Sequence, residues 1–379
     1  MQKAINGRYI AFEFGLLNES EYVYCESGIM KKIYLQYNTF VNNDFHMQFY
    51  NPYEEKNILT RRIRRRLPWF CFTKWGKCPK KNDTIDFEYI RKPWRLDGDL
   101  IFYLKRMKKK NPDCKIVMEI PTYPYDKESY TISSLPLVIK DKFWRRFLYK
   151  YVDRVVTYSE DDYIFNIPTI KISNAIDTSM VKAVDKIEFD SNNIHVMLCA
   201  TLCYWHGYDR ELYGLYEYYK KNGNTNFVLH IVGDGDEYLN YKNIIDTLDL
   251  RDHVIMYGKK FGKELDDIYN LCDVAFDSMG RHRSGVYYNS SLKGKEYLAK
   301  GLPIVSGVST ELDSESQFSC YYRIPADDSP VDFEKIKEFC CSVYSSNNVK
   351  EVRSNIVDFA NTRFSYTSTM KPVTEYVKN

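Results

Sequence analysis

No stretch of this 379-residue chain offers the eighteen or so consecutive apolar residues that a membrane-spanning helix needs. The start, MQKAINGRYIAFEFG, runs into a strand-like stretch without the basic, apolar and small-residue regions of a secretory leader, so the protein is expected to stay in the cytoplasm. The ten cysteines are scattered and show neither CxxC spacing nor an HExxH partner motif, and the six histidines stand apart from them and from each other. Free thiols and the absence of a protein-only metal site are the expectation. Charge of one sign is also lacking: a net +3 is close to balance and gives no electrostatic argument for a nucleic-acid partner. Repeats with the period of a solenoid are absent. The abundance of Tyr, Lys, Asn and Ile needs no function, because A/T-rich codons enrich those residues.

What is present reads as two α/β domains, since the length exceeds one ordinary core. Short apolar runs at Tyr9 to Phe14, Lys115 to Ile120 and Arg154 to Tyr158 alternate with amphipathic stretches, the rhythm of βα units around a parallel sheet. A second series follows, with strands at His195 to Ala200, Phe227 to Val232, Val254 to Tyr257, Val274 to Phe276 and Pro303 to Val305. Helical patterns lie between them at Glu211 to Lys221, Tyr238 to Leu248, Lys263 to Asn270 and Leu292 to Lys300. The polar stretch Asn174 to Asn193 is the linker candidate. The expectation is a first Rossmann-like domain over 1–175, a second over 190–361, and a tail from about 362 to 379 that crosses back to the first.

Arg61 to Lys77, RRIRRRLPWFCFTKWGK, mixes cations with Trp69, Phe70, Phe72 and Trp75. Cationic heads beside amphipathic aromatics suit an anionic membrane surface, and Lys105 to Lys110 extends it; the other reading is a solvated loop packed on its own domain.

The segment SSLKGKEYLAKGLPIV, Ser290 to Val305, carries the most chemistry. A serine at the helix start caps it and leaves the amides of Ser291, Leu292 and Lys293 to face an anion, with the helix dipole and the Lys293 ammonium adding to the attraction. Glu296 follows one turn later, within reach of ribose hydroxyls if the phosphates sit at the helix start. The plainer alternative is an ordinary capped helix with an exposed Glu-Lys face. In the first half, Gly28 opens a helix after the first strand and lets backbone approach a phosphate or sugar. Gly233 to Gly235 reads as a tight turn. EIPTYPYDKE places Glu119, Tyr123, Tyr125 and Asp126 at the carboxyl end of a strand, where α/β sheets hold ligands, although its prolines and aromatics also suit a packed turn.

Ser290 to Val305 resembles the donor-binding segment of retaining GT-B glycosyltransferases of the family 4, group 1 type. Ser173 to Asp177 is similar to the family's interdomain NGID motif, Ile231 to Glu237 to its strand-turn, and Leu271 to Ser278 to the strand leading into the donor loop. Tyr204 to Leu212 and Arg281 to Gly285, with EIPTYPYDKE, resemble a bacterial subgroup that makes surface polysaccharides. The resemblance implies a GT-B fold, two Rossmann-like domains facing each other across a cleft. It also implies a UDP- or GDP-linked nucleotide-sugar donor without a metal, and a glycan or polyprenyl-diphosphate-linked acceptor. Beside it, the Arg61 segment carries the expectation of peripheral contact with the inner membrane surface, and no nucleic-acid partner is expected.

Two departures shape the site. Tyr288 stands where the wider family has a donor-sugar Glu, and Thr201 and His206 stand where it has an Arg–Lys clamp. Phosphate charge is therefore expected from Arg210, Arg281, His282, Arg283 and Lys293, with His206 donating a hydrogen bond or partial charge. His206, Arg210, Arg283 and Glu296 are the expected catalytic set; Glu119 or Asp126, acting as a base, would instead invert the product. A catalytically silent subunit and a nucleic-acid binder using the Arg61 segment are the alternatives.

Overall fold

The computed structural model describes residues 5–12, 14–25, 27–52, 85–125, 135–344 and 348–379. Asp126 and the Arg61 to Lys77 segment lie outside them. The chain divides into two compact units, Met1–Ile172 with Thr369–Asn379, and Ser173–Ser368.

The first unit runs β1 (Ile5–Ile10), α1 (Glu19–Tyr24), α2 (Gly28–Asn42), β2 (Phe45–Tyr50), β3 (Phe87–Arg91), α3 (Gly98–Lys110), β4 (Lys115–Ile120), α4 (Leu135–Trp144), β5 (Arg154–Thr157), β6 (Tyr163–Ile164) and β7 (Ile167–Lys171). Among the described residues its strands form one sheet in the order β2-β1-β3-β4-β5-β7-β6, parallel except for the β6–β7 pair. Successive side chains of a strand point to opposite faces. Tyr9, Tyr89, Val117 and Val156 accordingly enter one core, while Ile10, Ile90, Met118 and Val155 enter the other. A sheet buried on both faces explains why these strands read as continuous apolar runs.

The second unit continues with β8 (Asn193–Cys199), α5 (Asp209–Lys220), β9 (Asn226–Val232), α6 (Tyr238–Thr247), β10 (Val254–Gly258), α7 (Gly262–Tyr269), β11 (Val274–Phe276), α8 (Leu292–Ala299), β12 (Ile304–Ser306), β13 (Tyr321–Arg323), α9 (Phe333–Tyr344) and α10 (Val349–Phe364). Its sheet is all parallel, in the order β10-β9-β8-β11-β12-β13. The last helix, α11 (Tyr366–Lys378), returns to the first unit and buries Met370, Val373 and Val377 in its core. The expected linker is ordered against the second unit, with the Ile176 amide on the Phe364 carbonyl and the Val184 amide on the Lys300 carbonyl.

Strand order reverses between β8 and β11 in the second sheet and between β1 and β3 in the first. In open parallel sheets such a reversal parts the following loops and leaves a crevice at the strands' carboxyl ends. Two loops therefore frame the crevice of the second unit, one after β8 and one after β11.

Gly233 shows how tightly the first of these is held. At φ +135° it lies against the loop after β8, where a Cβ would overlap the Ala200 carbonyl oxygen. Both the backbone conformation and the clash exclude a side chain. Gly233→Ala is expected to lower stability by roughly 2 kcal/mol or more. A urea midpoint unchanged from wild type would contradict that packing.

Candidate active site

The crevice of the second unit is built on α8. Its N-cap is Ser291, one residue later than the SSLKGK pattern suggests, and the Ser291 hydroxyl accepts the Gly294 amide at 3.2 Å. The same hydroxyl donates to Asp277 Oδ1 at 2.9 Å. Ser290 turns away, accepting the Asn174 amide at 2.8 Å and donating to Glu311 at 3.0 Å. Helix geometry leaves the amides of Leu292 and Lys293 without intrahelical acceptors, aimed at the crevice with the positive end of the helix dipole. Lys293 Nζ lies 3.5 Å from Asp277 Oδ1 and 3.3 Å from the Tyr208 hydroxyl. Burial lowers its pKa while Asp277 works to hold it up.

The loop after β8 supplies Thr201, which is exposed, and His206 on a single 3₁₀ turn, Tyr204–His206. The His206 carbonyl accepts the amides of Met279 (2.7 Å) and Gly280 (3.2 Å), which locks this turn to the loop after β11. Gly207, at φ +70°, permits the contact, since a Cβ there would stand 2.5 Å from the Gly280 nitrogen. The imidazole accepts the Cys203 amide on Nδ1 at 3.4 Å and stacks on Tyr208. Burial, then the positive fields of Lys293 and Arg281, push its pKa down to about 2. His206 therefore supplies no cationic charge; it is a neutral ring beside two cations.

Two other expected phosphate ligands are committed elsewhere. Arg210 is 2% exposed and spends its guanidinium on the carbonyls of Ser329 (2.7 Å), Met279 (2.5 Å) and Pro325 (3.2 Å). A group so enclosed holds three loops together and has no donor aimed at a ligand. Arg283 is bidentate to Asp209 at 2.8 Å on both nitrogens, and Asp328 takes its Nε at 2.7 Å. With two carboxylates satisfied, it braces the 3₁₀ turn Arg281–Ser284 rather than offering charge. His282 lies within 3.1 Å of the same Asp328.

At the crevice stand Lys293 and the α8 amides, with Arg281 contributing its charge. Arg281 acts electrostatically on His206, Cys203 and Lys293, so these groups share one local field. Glu296 is one turn along α8, its carboxylate accepting the Tyr269 hydroxyl at 3.2 Å, and burial pushes its pKa up. Asp277 and Tyr208 had no assigned role in the sequence reading. The position of Asp277, immediately after the apolar Val274–Phe276 strand, was the available signal.

In the first unit, Gly28 is the first residue of α2, behind the Ser27 cap, with open space around the position of a Cβ. Glu119 is fully buried, held by Arg91 (3.1 Å), Lys32 (3.3 Å), the Tyr158 hydroxyl (2.6 Å) and the Gln36 amide (3.3 Å). Burial alone would raise its pKa, but Arg91, Lys32 and the hydrogen bonds hold it down at about 2. Such a carboxylate is too weak and too enclosed to take a proton, which counts against the alternative in which Glu119 acts as an inverting base. Tyr125 is also buried, donating to Asp141 at 2.8 Å beneath the Lys92 ammonium, and Tyr123 packs edge-on against Phe165. The packed-turn alternative describes these two tyrosines. Lys92, Trp94 and Arg95 follow β3 at the switch point instead, beside a cavity of about 150 Å³. Among the described residues no group of three His, Cys, Asp or Glu side chains is arranged to hold a metal, every cysteine is a free thiol, and no helix is long and apolar enough to cross a membrane.

Residues 185–307, spanning β8 to β12, match the family described as glycosyl transferases group 1. Along its length the chain is similar to the lipopolysaccharide outer core galactosyltransferase WaaB, at 12% identity over 99% of this chain and 100% of that one, with a TM-score of 0.59. It is similar to Anabaena HepE solved with UDP, at 12% identity over 99% and 100% of the two chains and a TM-score of 0.56. A glycosyltransferase from Rickettsia africae gives 12% identity over 99% and 98%, again with a TM-score of 0.56. No curated protein matches the chain by sequence. The fold is thus the GT-B fold of glycosyltransferases. Within it, residues 185–307 of the second unit are similar to the glycosyl transferases group 1 family.

Two outcomes follow from the buried charges. The His206 imidazole resonances should keep neutral-form shifts from about pH 8 down to about pH 5, where an ordinary histidine is mostly protonated. Its folded pKa lies below the unfolded one, so its contribution to stability is complete above about pH 6.5 and is lost as pH falls. Titration of that ring near pH 6.5 would show it to be exposed to water. Glu119→Gln strips two buried cations of their counter-charge and should cost about 3 to 5 kcal/mol in urea unfolding; a loss below about 1 kcal/mol would mean that solvent screens the cluster.

Proposed function

We propose that the protein transfers a sugar from a UDP- or GDP-linked donor, held by the second unit, to a glycan or polyprenyl-diphosphate-linked acceptor, held by the first. The reaction serves bacterial surface-polysaccharide synthesis and retains anomeric configuration. The observation that carries this reading is the amino end of α8, where the amides of Leu292 and Lys293, the Lys293 ammonium and the field of Arg281 converge on one crevice. That set suits a diphosphate better than a single anionic group, because its donors come from backbone and side chain at different heights along the helix start.

In the transfer, the bond between the anomeric carbon and the β-phosphate oxygen breaks while the acceptor hydroxyl oxygen forms its own bond to that carbon. The hydroxyl proton leaves to the departing phosphate. Negative charge grows on the phosphate, and groups already fixed around it stabilise that charge without reorganising. His206, a neutral ring, suits the sugar or phosphate oxygens as a hydrogen-bonding partner and leaves the charge to Lys293 and Arg281. Glu296 is placed for the ribose hydroxyls. With Glu119 sequestered, the first unit offers no base in the described EIPTYPY turn, and same-face attack is the route favoured.

Calorimetry with UDP and GDP tests the donor site. Lys293→Ala should weaken the preferred diphosphate about 10- to 100-fold, the worth of one charge-assisted contact, in a protein whose melting profile stays cooperative. Wild-type affinity in that variant would contradict the assignment. A chain that binds neither nucleotide would be a supporting subunit, and salt-sensitive RNA binding indifferent to Lys293→Ala would make it a nucleic-acid binder. NMR of the transfer product should show the donor's anomeric configuration preserved; inversion would place a base on the opposite face.

A further inference from the structure

Two stacked histidines of the second unit have no part in the proposed chemistry. His195 on β8 and His230 on the neighbouring β9 have ring centroids 5.1 Å apart, and His195 Nδ1 lies 2.8 Å from His230 Nε2. The pair belongs to a hydrogen-bonded row that crosses three strands. His230 Nδ1 meets the Tyr257 hydroxyl of β10 at 2.8 Å, and His195 Nε2 meets the side-chain amide of Asn193 at 3.2 Å. Asn193 accepts from Asn226 at 2.8 Å, and Asn226 lies 3.2 Å from His253 Nδ1, where the Tyr219 hydroxyl ends the row at 3.1 Å.

The number of protons in such a row is fixed. A neutral imidazole has one N–H and one lone pair, so each ring donates on one side and accepts on the other. Whichever way the row is directed, one hydrogen lies between His195 and His230. Two imidazolium rings would set two hydrogens between nitrogens 2.8 Å apart, which is not a hydrogen bond. A single added proton leaves a charge in poor surroundings, because His230 is 1% exposed and among the described residues no carboxylate is hydrogen-bonded to either ring. Asp273, whose field reaches His195, is committed to the His195 amide at 2.9 Å and the Lys186 ammonium at 2.6 Å. Burial and then Lys186 lower the pKa of His195 against the pull of Asp273. Burial, with His195 and Lys186, pushes that of His230 down to about 4.

We propose that the His195–His230 pair is a proton-operated latch between β8 and β9, closed while both rings are neutral and forced open when the pair is protonated. The latch holds the wall of the crevice. β8 and β9 run directly into loops joined by the Ala200 amide on the Val232 carbonyl and the Leu202 amide on the Asp234 carbonyl, each at 3.0 Å. Acid therefore weakens the second unit at the strand pair that carries these loops. Both folded pKa values lie below the unfolded one, so the stabilisation is complete above about pH 6.5 and is lost as pH falls toward about 4. The latch is a property of the strands and stands whether or not the crevice takes a nucleotide.

Urea unfolding of the full chain between about pH 8 and about pH 5, beside NMR of its labelled histidine rings, tests the latch. Wild type is compared with the double variant His195→Asn with His230→Gln, whose amides can keep the central hydrogen bond and cannot take a proton. His206 and every other titrating group are common to both proteins. The ratio of the two folding constants should therefore change by about 30-fold or more across that range, the loss expected of a ring that stays neutral in the fold and titrates normally when unfolded. In wild type the His230 resonances should keep neutral-form shifts down to about pH 5. An equal pH dependence in wild type and variant, or titration of both rings near pH 6.5 in the folded protein, would overturn the proposal. Should the double variant not fold, the wild-type ring titration decides alone.

Discussion

One buried carboxylate organises the crevice of the second unit. Asp277 is 1% exposed, directly after β11, and it fixes both the N-cap hydroxyl of Ser291 and the ammonium of Lys293. The cap sets where α8 begins, and the ion pair sets how far Lys293 reaches. A resident anion at the positive end of a helix is itself favourable, so the arrangement is stable before any ligand arrives. Because Lys293 also meets the Tyr208 hydroxyl, its charge is positioned and only partly neutralised.

Around that centre, several charged groups hold the scaffold. Arg210 and Arg283 tie loops together, and Lys295 pairs with Glu311 beneath the crossover at Asn174. Removing either member of such a pair leaves a charge without compensation, whereas the pair itself contributes mostly rigidity. The His206 carbonyl, receiving two amides from the facing loop, gives the same rigidity at the level of backbone. The outcome is a crevice whose walls are fixed and whose cationic character rests on few groups, the condition under which electrostatic preorganisation is effective.

The architecture was legible because it rests on periodicity. Parallel strands buried on both faces give short apolar runs, and β4, β9 and β11 fall within a residue of where those runs place them. The α8 segment was legible too, as a serine-capped helix with Lys293 and Glu296 on it. The roles of Arg210, Arg283 and Glu119 were not. A sequence shows that a charge exists, but whether it meets a ligand or a neighbour depends on partners far along the chain, such as Ser329, Asp328 and Lys32. The charge state of His206 was hidden for the same reason, since burial among Lys293 and Arg281 is a property of the fold.

The account stands on where a diphosphate binds. A crystal soaked with the tighter of UDP and GDP should show both phosphates at the amino end of α8, within hydrogen-bond distance of the Leu292 and Lys293 amides and the Lys293 ammonium. Clear density for the nucleotide elsewhere, with that helix start bearing only water, would contradict it.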